Sequence, residues 1–295
     1  MEVVWVYENI HGQRKFYSRF NLLMLIASVS LWRKYHPDHK TVIYVDDLTN
    51  EVLEELKVRE LWDSVRPLNY KENINRRKFW SGCKTKIISE TKIPILLVDH
   101  DFLIFRNIDE YIGKDILCTY DEIASNWYPG PNDVWGKKLT TRIEHLVNRA
   151  SNVSLFYLPD PEFANKYGKQ TLINHAEFTA MAEEEMTANH MIYSEQFMLR
   201  QWIERDNIPY KTLCKNIWDC KSIKYTSEVW DDGYWDLKEA FRYYRHYGMD
   251  KRAVLDNRPG YTYDGEIEYL YRCINAGKRI NIQMLRQQLI NIENR

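Results

Sequence analysis

The stretch of sequence that decides the fold is ILLVDHDFLIF, residues 95–105, in which two apolar runs flank a pair of acids. The first run is short and aliphatic and follows Pro94, a pattern typical of a buried strand. A buried, unpaired carboxylate is costly, so Asp99 and Asp101 need either a cation or a water-filled cleft. If the strand continues through both acids, their side chains point to the same side, because side chains alternate along a strand.

Two readings of this acid pair are open. Two convergent carboxylates at the carboxyl end of a buried strand suit a hard divalent cation, and ligands bind at that end of open α/β sheets. Alternatively, Asp99 and Asp101 cap backbone groups and pair with Arg106 or a lysine. His100 lies between them, points to the opposite face by alternation, and is interpreted as structural.

Strand-like and helical patterns alternate along the first part of the chain. Such alternation predicts parallel β-α-β units. The fold class is therefore predicted as α/β: a Rossmann-like, mixed but mostly parallel sheet flanked by helices, with a helical C-terminal extension. Strands are predicted at residues 3–7, 41–45, 95–98, 116–120 and 151–158, and helices at 17–35, 50–61, 78–90, 161–182, 194–205 and 266–294. Residues 218–235 are predicted to be loop.

The 295 residues are predicted to form one domain, residues 1–295, with no repeat and no sharp break in composition. Within it we expect a nucleotide-binding half at 1–120, an acceptor and metal-completing half at 121–260, and a helical extension at 261–295. Residues 121–150 contain the Pro and Gly of a long loop.

The charge balance argues against a polyanionic partner. With 41 basic and 42 acidic residues and a net charge of −1, bulk attraction to nucleic acid or to an anionic membrane is not expected. The longest apolar-rich stretch, 22–32, is too short for a transmembrane helix, which takes ~20 residues. No signal-peptide pattern is present, and the five cysteines are scattered without a C-x-x-C pair. A cytoplasmic, reduced location is therefore expected.

Residues 95–107 resemble the strand-DxD-strand signature of nucleotide-sugar glycosyltransferases with the GT-A fold. Lys84 lies one helix upstream, where the glycogenin-like enzymes of family 8 keep a basic residue facing the donor. Residues 151–155, SNVSL, are similar to their Phe-Asn-Ala/Ser-Gly-Val strand, with Asn152 at the Asn position and Ser154 where Gly is usual.

Two later segments continue the resemblance in the same order. Ser-Glu-Gln at 194–196 resembles the Asp-Gln pair that opens a helix in family 8, with Glu195 in place of Asp. HYGMDK at 246–251 resembles their His-x-x-Gly-x-x-Lys, with one residue fewer between His and Gly and Arg-Ala in place of the following Pro-Trp. The matching segments span residues 84–251, and the chain is placed nearest to family 8.

The resemblance implies a metal-dependent enzyme that moves a sugar from a nucleotide sugar, expected to be a UDP-sugar, to a glycan or other hydroxyl acceptor. It implies that Asp99, Asp101 and His246 hold Mn²⁺ or Mg²⁺; a histidine beside carboxylates suits Mn²⁺ better than Ca²⁺. A metal held there would offset the charge of the leaving diphosphate, and Lys251 would pair with that diphosphate. The alternative for His246 is packing in an aromatic cluster.

Further donor contacts are expected from five residues. The resemblance implies that Lys84 and Asn152 bind the donor and that Asp99 also touches the ribose, although Lys84 can equally be a solvated helix lysine. Glu8 and Asp46 follow the first two strands and can recognise the base and ribose. Turn chemistry explains acids at those places almost as well.

Gln196 and Glu195 are the candidate catalytic residues. In family 8 the corresponding region lies beneath the anomeric carbon, so the resemblance implies transfer with retention of configuration. The alternative is that Ser194 and Glu195 cap a helix N-terminus. An inverting enzyme would instead need a carboxylate as general base, for which Glu195, Asp231 and Asp232 are candidates.

Two rival functions remain. A sugar-nucleotidyltransferase shares metal-binding carboxylates but should carry a Gly-rich basic loop after the first strand, where residues 8–15 contain one Gly. A carbohydrate-binding or inactive relative would use its aromatic side chains. Five tryptophans in loop-like regions can pack or form an acceptor platform: Trp127, Trp135, Trp218, Trp230 and Trp235.

Overall fold

The structure is a computed structural model, and it describes residues 1–10, 12–13, 18–70, 74–123, 139–140, 143–180, 188–248, 250–277 and 279–293. The strands in these residues are β1 Glu2–Tyr7, β2 Lys40–Val45, β3 Ser64–Pro67, β4 Ile95–Val98, β5 Phe102–Ile104, β6 Ile116–Cys118, β7 Tyr120–Ile123, β8 Arg149–Asn152, β9 Leu155–Leu158, β10 Tyr210–Cys214, β11 Asn216–Asp219, β12 Lys224–Val229, β13 Gly233–Trp235 and β14 Tyr244–His246. The helices are α1 Arg19–Tyr35, α2 Asp47–Glu55, α3 Gly82–Glu90, α4 Pro161–Thr179, α5 Ala188–Ile192, α6 Met198–Arg205, α7 Leu237–Tyr243, α8 Asp250–Leu255, α9 Tyr263–Ala276 and α10 Ile282–Glu293.

The chain divides into two compact units, each built from separate stretches of sequence. The first unit contains Met1–Asn69, Leu97–Glu110 and Phe241–Arg295, and the second contains Tyr70–Leu96 and Tyr111–Ala240. The predicted organisation as one domain with divisions near residues 120 and 260 stays a prediction.

In the first unit, β1, β2 and β3 are parallel neighbours, with Val4 opposite Val42 and Ile43 opposite Val65. Helix α1 begins after Ser18, whose hydroxyl accepts a hydrogen bond from the amide of Asn21. The helix is buried on almost every side because it packs against both β5 and α9. This double burial explains why its sequence is apolar all round rather than along one stripe.

In the second unit, β10 runs parallel to β6 and β13, while β6 and β9 are antiparallel. A separate four-stranded sheet has the order β12-β11-β7-β8. Helices α3 and α4 pack closely: a Cβ built on Gly168 would lie 2.6 Å from the backbone nitrogen of Ser89. Only glycine permits this approach.

The predicted fold class is confirmed: the protein is α/β, with a mixed, largely parallel sheet flanked by helices. The C-terminal helices α9 and α10 are also present, and both pack against α1. The prediction of loop at 218–235 is wrong, because the end of β11 together with β12 and β13 occupies most of it. Strand β12 is largely exposed, so its sequence lacks the apolar alternation of a half-buried strand. Among the described residues, no helix combines the length and apolar character needed to cross a bilayer.

Candidate functional site

The two acids of the opening stretch do not lie on one extended strand. Strand β4 ends at Val98, and residues 99–102 form a turn in which the amide of Phe102 donates to the carbonyl of Asp99 at 3.0 Å. Side-chain alternation therefore does not relate Asp99 to Asp101, and the prediction that a continuous strand carries both to one side is wrong. Asp101 is buried, whereas Asp99 is half-buried.

A C-terminal segment surrounds the carboxylate of Asp101. Strand β14 pairs antiparallel with β5, which places His246 opposite Phe102, and the amide of Tyr247 donates to the carbonyl of Asp101 at 3.1 Å. The chain then turns so that three groups face Asp101 Oδ2: Lys251 Nζ at 2.8 Å, the amide of Gly248 at 3.1 Å and His246 Nε2 at 3.7 Å. The structure thus places side by side residues that the sequence analysis grouped, although His246 lies 145 positions from Asp101 in the sequence.

The electrostatics of this cluster keep Asp101 ionised. Burial alone would raise the pKa of this carboxyl, but the positive charges of Lys251 and His246 and, more weakly, His100 hold it well below its usual range. A buried carboxylate needs a nearby positive charge. Lys251 supplies that charge at the carboxyl end of β4. His100 packs edge-on against the ring of Tyr7, at 5.2 Å between centroids, as its structural interpretation expects.

Gly248 is required by the geometry of the turn. Its φ of +41° lies in the left-handed region, which side chains other than glycine rarely adopt. A Cβ at this position would also lie 3.1 Å from His246 Cε1. The backbone therefore favours glycine at position 248, next to the side chain of His246.

The cluster fits a divalent metal in part. One metal with ligand bonds of about 2.1 Å can span the 3.7 Å between His246 Nε2 and Asp101 Oδ2. Over the part of the chain that the structure describes, however, no group of three or more His, Cys, Asp or Glu side chains is gathered as a metal site. Asp99 is thus not assembled with the other two, and its metal role stays a prediction.

Asp46 is engaged at the start of α2. Its carboxylate accepts hydrogen bonds from the amide and hydroxyl of Thr49, at 2.9 and 2.8 Å, and from the amide of Asn9 at 2.7 Å. This is the arrangement that turn and capping chemistry expects. Glu8 is half-buried directly after β1. Contacts of Glu8 and Asp46 with a base or ribose stay predictions.

In the second unit, Lys84 and Glu195 form a buried ion pair. Lys84 Nζ lies 3.4 Å from Glu195 Oε1 and also 3.4 Å from the carbonyl of Val153, to which it donates. The two side chains are 12% and 3% exposed. Lys84 is therefore not a solvated helix lysine. The 3.4 Å contact is an ion pair without hydrogen-bond alignment, since Glu195 Oε1 accepts no hydrogen bond from the described part of the chain.

The helix that carries Glu195 and Gln196 does not begin where the sequence predicts. Helical backbone extends from Ala188 to Arg205, and residues Tyr193–Phe197 adopt a π-helical turn within it. The hydroxyl of Ser194 donates to the carbonyls of His190 and Met191 in the preceding turn. Ser194 and Glu195 therefore do not cap a helix N-terminus, and that alternative is wrong. π-Helical turns occur frequently at functional sites.

The side-chain amide of Asn152 forms hydrogen bonds with other residues of the second unit. Its Nδ2 donates to Glu122 at 2.9 Å, and its Oδ1 accepts from the amide and hydroxyl of Ser154 at 3.2 and 2.6 Å. Ser154 also shares a hydrogen bond with Thr119, which explains a serine where the resembling strand has glycine. Binding of the donor by Asn152 stays a prediction.

Sequence reasoning missed a buried polar network around Asp121. Tyr210 donates to its carboxylate at 2.5 Å, and Arg200 Nε forms an ion pair with it at 3.3 Å. Burial raises the pKa of Asp121, and the charge of Arg200 offsets part of that rise. No local pattern signals this network, because its members are up to 89 residues apart.

The remaining candidates have separate environments. Asp232 forms an ion pair with Lys211 at 3.0 Å, and Asp231 is exposed. Trp235 is buried and donates to the hydroxyl of Tyr111, so it packs in the core. Trp218 packs edge-on against Tyr225, and Trp230 lies under the guanidinium of Arg149. Trp127 and Trp135 lie outside the described residues.

Comparison with known proteins gives no sequence relative. No protein-family model and no curated protein matches the chain. Solved structures with some likeness include an active-site mutant of LgtC, at a TM-score of 0.37 and 10% identity, over 66% of this chain and 70% of that one. The galactosyltransferase LgtC in complex with donor and acceptor sugar analogues gives the same TM-score and coverage, at 11% identity. A likeness at this TM-score does not assign a family.

Proposed function

We propose that this protein is a glycosyltransferase that moves a sugar from a nucleotide sugar, expected to be a UDP-sugar, to a hydroxyl acceptor with the help of Mn²⁺ or Mg²⁺. The observation that carries the proposal is the buried, ionised carboxylate of Asp101, held between Lys251 and His246 directly after β4. The carboxyl ends of strands are where open α/β sheets bind ligands.

The residues of this cluster suit recognition of a diphosphate. Asp101 and His246 would hold the metal, which when bound supplies Lewis-acid stabilisation of the leaving diphosphate. Lys251 contributes a positive charge on a long, flexible side chain, suited to pairing with a phosphate oxygen. The backbone bonds of Tyr247 and Gly248 to Asp101 fix the turn, so these groups do not have to be ordered when the donor binds.

We propose in addition that Glu195 and Gln196 act in catalysis, with retention of configuration, as the resemblance to family 8 implies. The ion pair with Lys84 supports this role, because it holds the Glu195 carboxylate in one place at the centre of a π-helical turn. A side chain that is 3% exposed has little freedom to reorient.

Donor hydrolysis tests the proposal without knowledge of the acceptor. The protein is incubated with a panel of UDP-, GDP- and CMP-sugars, with Mn²⁺, Mg²⁺ or EDTA, and release of free nucleotide is measured. We expect metal-dependent release of UDP, reduced about 100-fold or more in Asp101→Asn. The matched control is Asp38→Asn, at an exposed position of the same unit, which should retain full activity.

Three outcomes would count against parts of the proposal. If folded wild-type protein releases no nucleotide from any donor with either metal, the protein is not a glycosyltransferase of this kind. Pyrophosphate release from a nucleoside triphosphate and a sugar 1-phosphate would favour the nucleotidyltransferase instead. Inversion at the anomeric carbon of the product would remove the retaining role of Gln196 and Glu195.

A further inference from the structure

The π-helical turn that carries Glu195 and Gln196 is held from outside by a tyrosine of α4. The hydroxyl of Tyr167 donates a hydrogen bond to the backbone carbonyl of Glu195 at 3.2 Å. Both side chains are buried, and both residues belong to the second compact unit. A group outside the helix therefore contributes to the backbone geometry of this turn.

The hydroxyl of Tyr167 is held in place by the packing of its ring. The ring lies edge-on to Phe156 and Trp202 and parallel to Phe163, with centroids 5.9, 6.4 and 6.2 Å away. Burial raises the pKa of Tyr167 well above its ordinary value, and the charge of Glu195 adds to this rise. The hydroxyl therefore stays protonated at neutral pH and remains a hydrogen-bond donor.

Helix α4 contacts the same segment at a second point. Asn174 follows Tyr167 by two helical turns, so the two side chains lie on one face of α4. Its Nδ2 donates to Met198 Sδ at 3.3 Å. The amide of Met198 in turn donates to the carbonyl of Tyr193, five residues earlier, which is the hydrogen bond that defines a π-helical turn. One face of α4 thus supports the turn on both sides of Gln196.

The hydrogen bond from Tyr167 acts on the backbone from which the Gln196 side chain departs. Because a peptide unit is planar, the carbonyl of Glu195 and the amide nitrogen of Gln196 rotate as one group. Fixing the carbonyl oxygen therefore fixes the direction of the Cα–Cβ bond of Gln196, which is half-buried. The carboxylate of Glu195 has a separate contact, the ion pair with Lys84.

We propose that Tyr167 is a positioning residue for Gln196, because its hydroxyl fixes the peptide plane between residues 195 and 196. The catalytic part of this inference rests on the proposed function, in which Gln196 acts in sugar transfer. A displacement of about 1 Å caused by a change away from the reacting atoms can lower a rate about 100-fold. Loss of one hydroxyl should cost less, about tenfold, because the ring packing and the contact of Asn174 remain.

The kinetic test is donor hydrolysis by Tyr167→Phe, with the UDP-sugar that the wild type cleaves fastest. This variant should lower kcat about tenfold and leave KM within about twofold, because the donor contacts are proposed at other residues. The matched control is Tyr157→Phe. The hydroxyl of Tyr157 also donates to a backbone carbonyl, that of Gly113, at 3.2 Å in the same unit, and its loss should leave kcat unchanged.

A double-mutant cycle separates positioning of Gln196 from a general structural effect. In a Gln196→Ala background the hydroxyl of Tyr167 has no amide side chain left to orient, so Tyr167→Phe should lower kcat by less than about twofold. Damage to the fold would lower kcat equally in both backgrounds. A tenfold fall in both backgrounds, or an unchanged kcat in Tyr167→Phe alone, overturns the proposal.

Amide hydrogen exchange tests the hydrogen bond without any measurement of activity. Loss of this bond should make the amides of residues 193–198 exchange about fivefold faster in Tyr167→Phe than in the wild type or Tyr157→Phe. If the wild type cleaves a donor but exchange stays unchanged in Tyr167→Phe, the proposed function stands and the positioning role fails. If exchange rises but the wild type cleaves no donor, Tyr167 does hold the turn and the proposed function fails.

Discussion

Removal of the Lys84 ammonium should destabilise the protein through the carboxylate that it leaves behind. In Lys84→Met the side chain keeps an unbranched stem without the ammonium, so Glu195, which is 3% exposed, loses the cation at 3.4 Å. Removing one partner of a buried ion pair costs about 3–5 kcal/mol. Because the contact lacks hydrogen-bond alignment and Lys84 is itself 12% exposed, we expect the lower end, about 3 kcal/mol.

The assay is urea denaturation at pH 7 of the wild type, Lys84→Met, Glu195→Gln and the double variant. Glu195→Gln removes the charge that needs compensation, so the double variant should recover at least about 2 kcal/mol relative to the sum of the single changes. The control is Lys86→Met on the same helix. Lys86 pairs with Glu90, which is 64% exposed, so its loss should cost under about 0.5 kcal/mol.

The stabilities of these variants can refute the coupling of Lys84 to Glu195. If Lys84→Met is as stable as Lys86→Met, or if the effects of Lys84→Met and Glu195→Gln simply add, the two side chains are not coupled. The explanation of how Glu195 is held in the π-helical turn would then be wrong.

Three further predictions concern other residues. Asn152→Ala should lower the free energy of unfolding by about 1–2 kcal/mol in a denaturant titration, because it removes the interior hydrogen bonds of the amide with Glu122 and Ser154. Gly248→Ala should weaken Mn²⁺ binding in calorimetry, because its Cβ would press on His246 at a positive φ. Burial lowers the pKa of His175 from 6.5 to about 3, so the unfolded chain takes up a proton below pH 6.5 before the folded protein does. Wild-type stability should therefore fall by roughly 3 kcal/mol between pH 6.5 and 4, and denaturation of His175→Leu should show that part of the fall removed.

The local sequence predicted the fold well where one element is buried by its neighbours. The aliphatic runs of β1, β2 and β4 and the continuous apolar sequence of α1 each indicate their own structure. The prediction failed for β12, which is held by hydrogen bonds to β11 rather than by burial. It also failed at the start of the helix that carries Glu195, because nothing in Ser-Glu-Gln distinguishes a capping serine from one that donates to the turn before it.

Some features of the candidate site could also be predicted from the sequence, and others could not. The grouping of Asp101, His246 and Lys251 came from the resemblance of residues 246–251 to a family 8 segment, and the structure places these three side chains side by side. The relative direction of the Asp99 and Asp101 side chains could not be predicted from their spacing. Residues two apart point to the same side in a strand, but not necessarily in a turn. The pairing of Lys84 with Glu195 joins residues 111 positions apart, and only the folded chain reveals it.

The central claim is that Asp101 anchors a metal-assisted site for a nucleotide sugar. The most direct measurement is the thermal unfolding of wild-type protein and Asp101→Asn with UDP alone, Mn²⁺ alone and both together. A ligand present at about 100 times its Kd stabilises the native state by about 2.7 kcal/mol, so the wild type should melt several degrees higher with both and little higher with either alone. Asp101→Asn should show no such combined shift. A wild-type melting temperature that no combination raises, or an equal combined shift in folded Asp101→Asn, would contradict the claim.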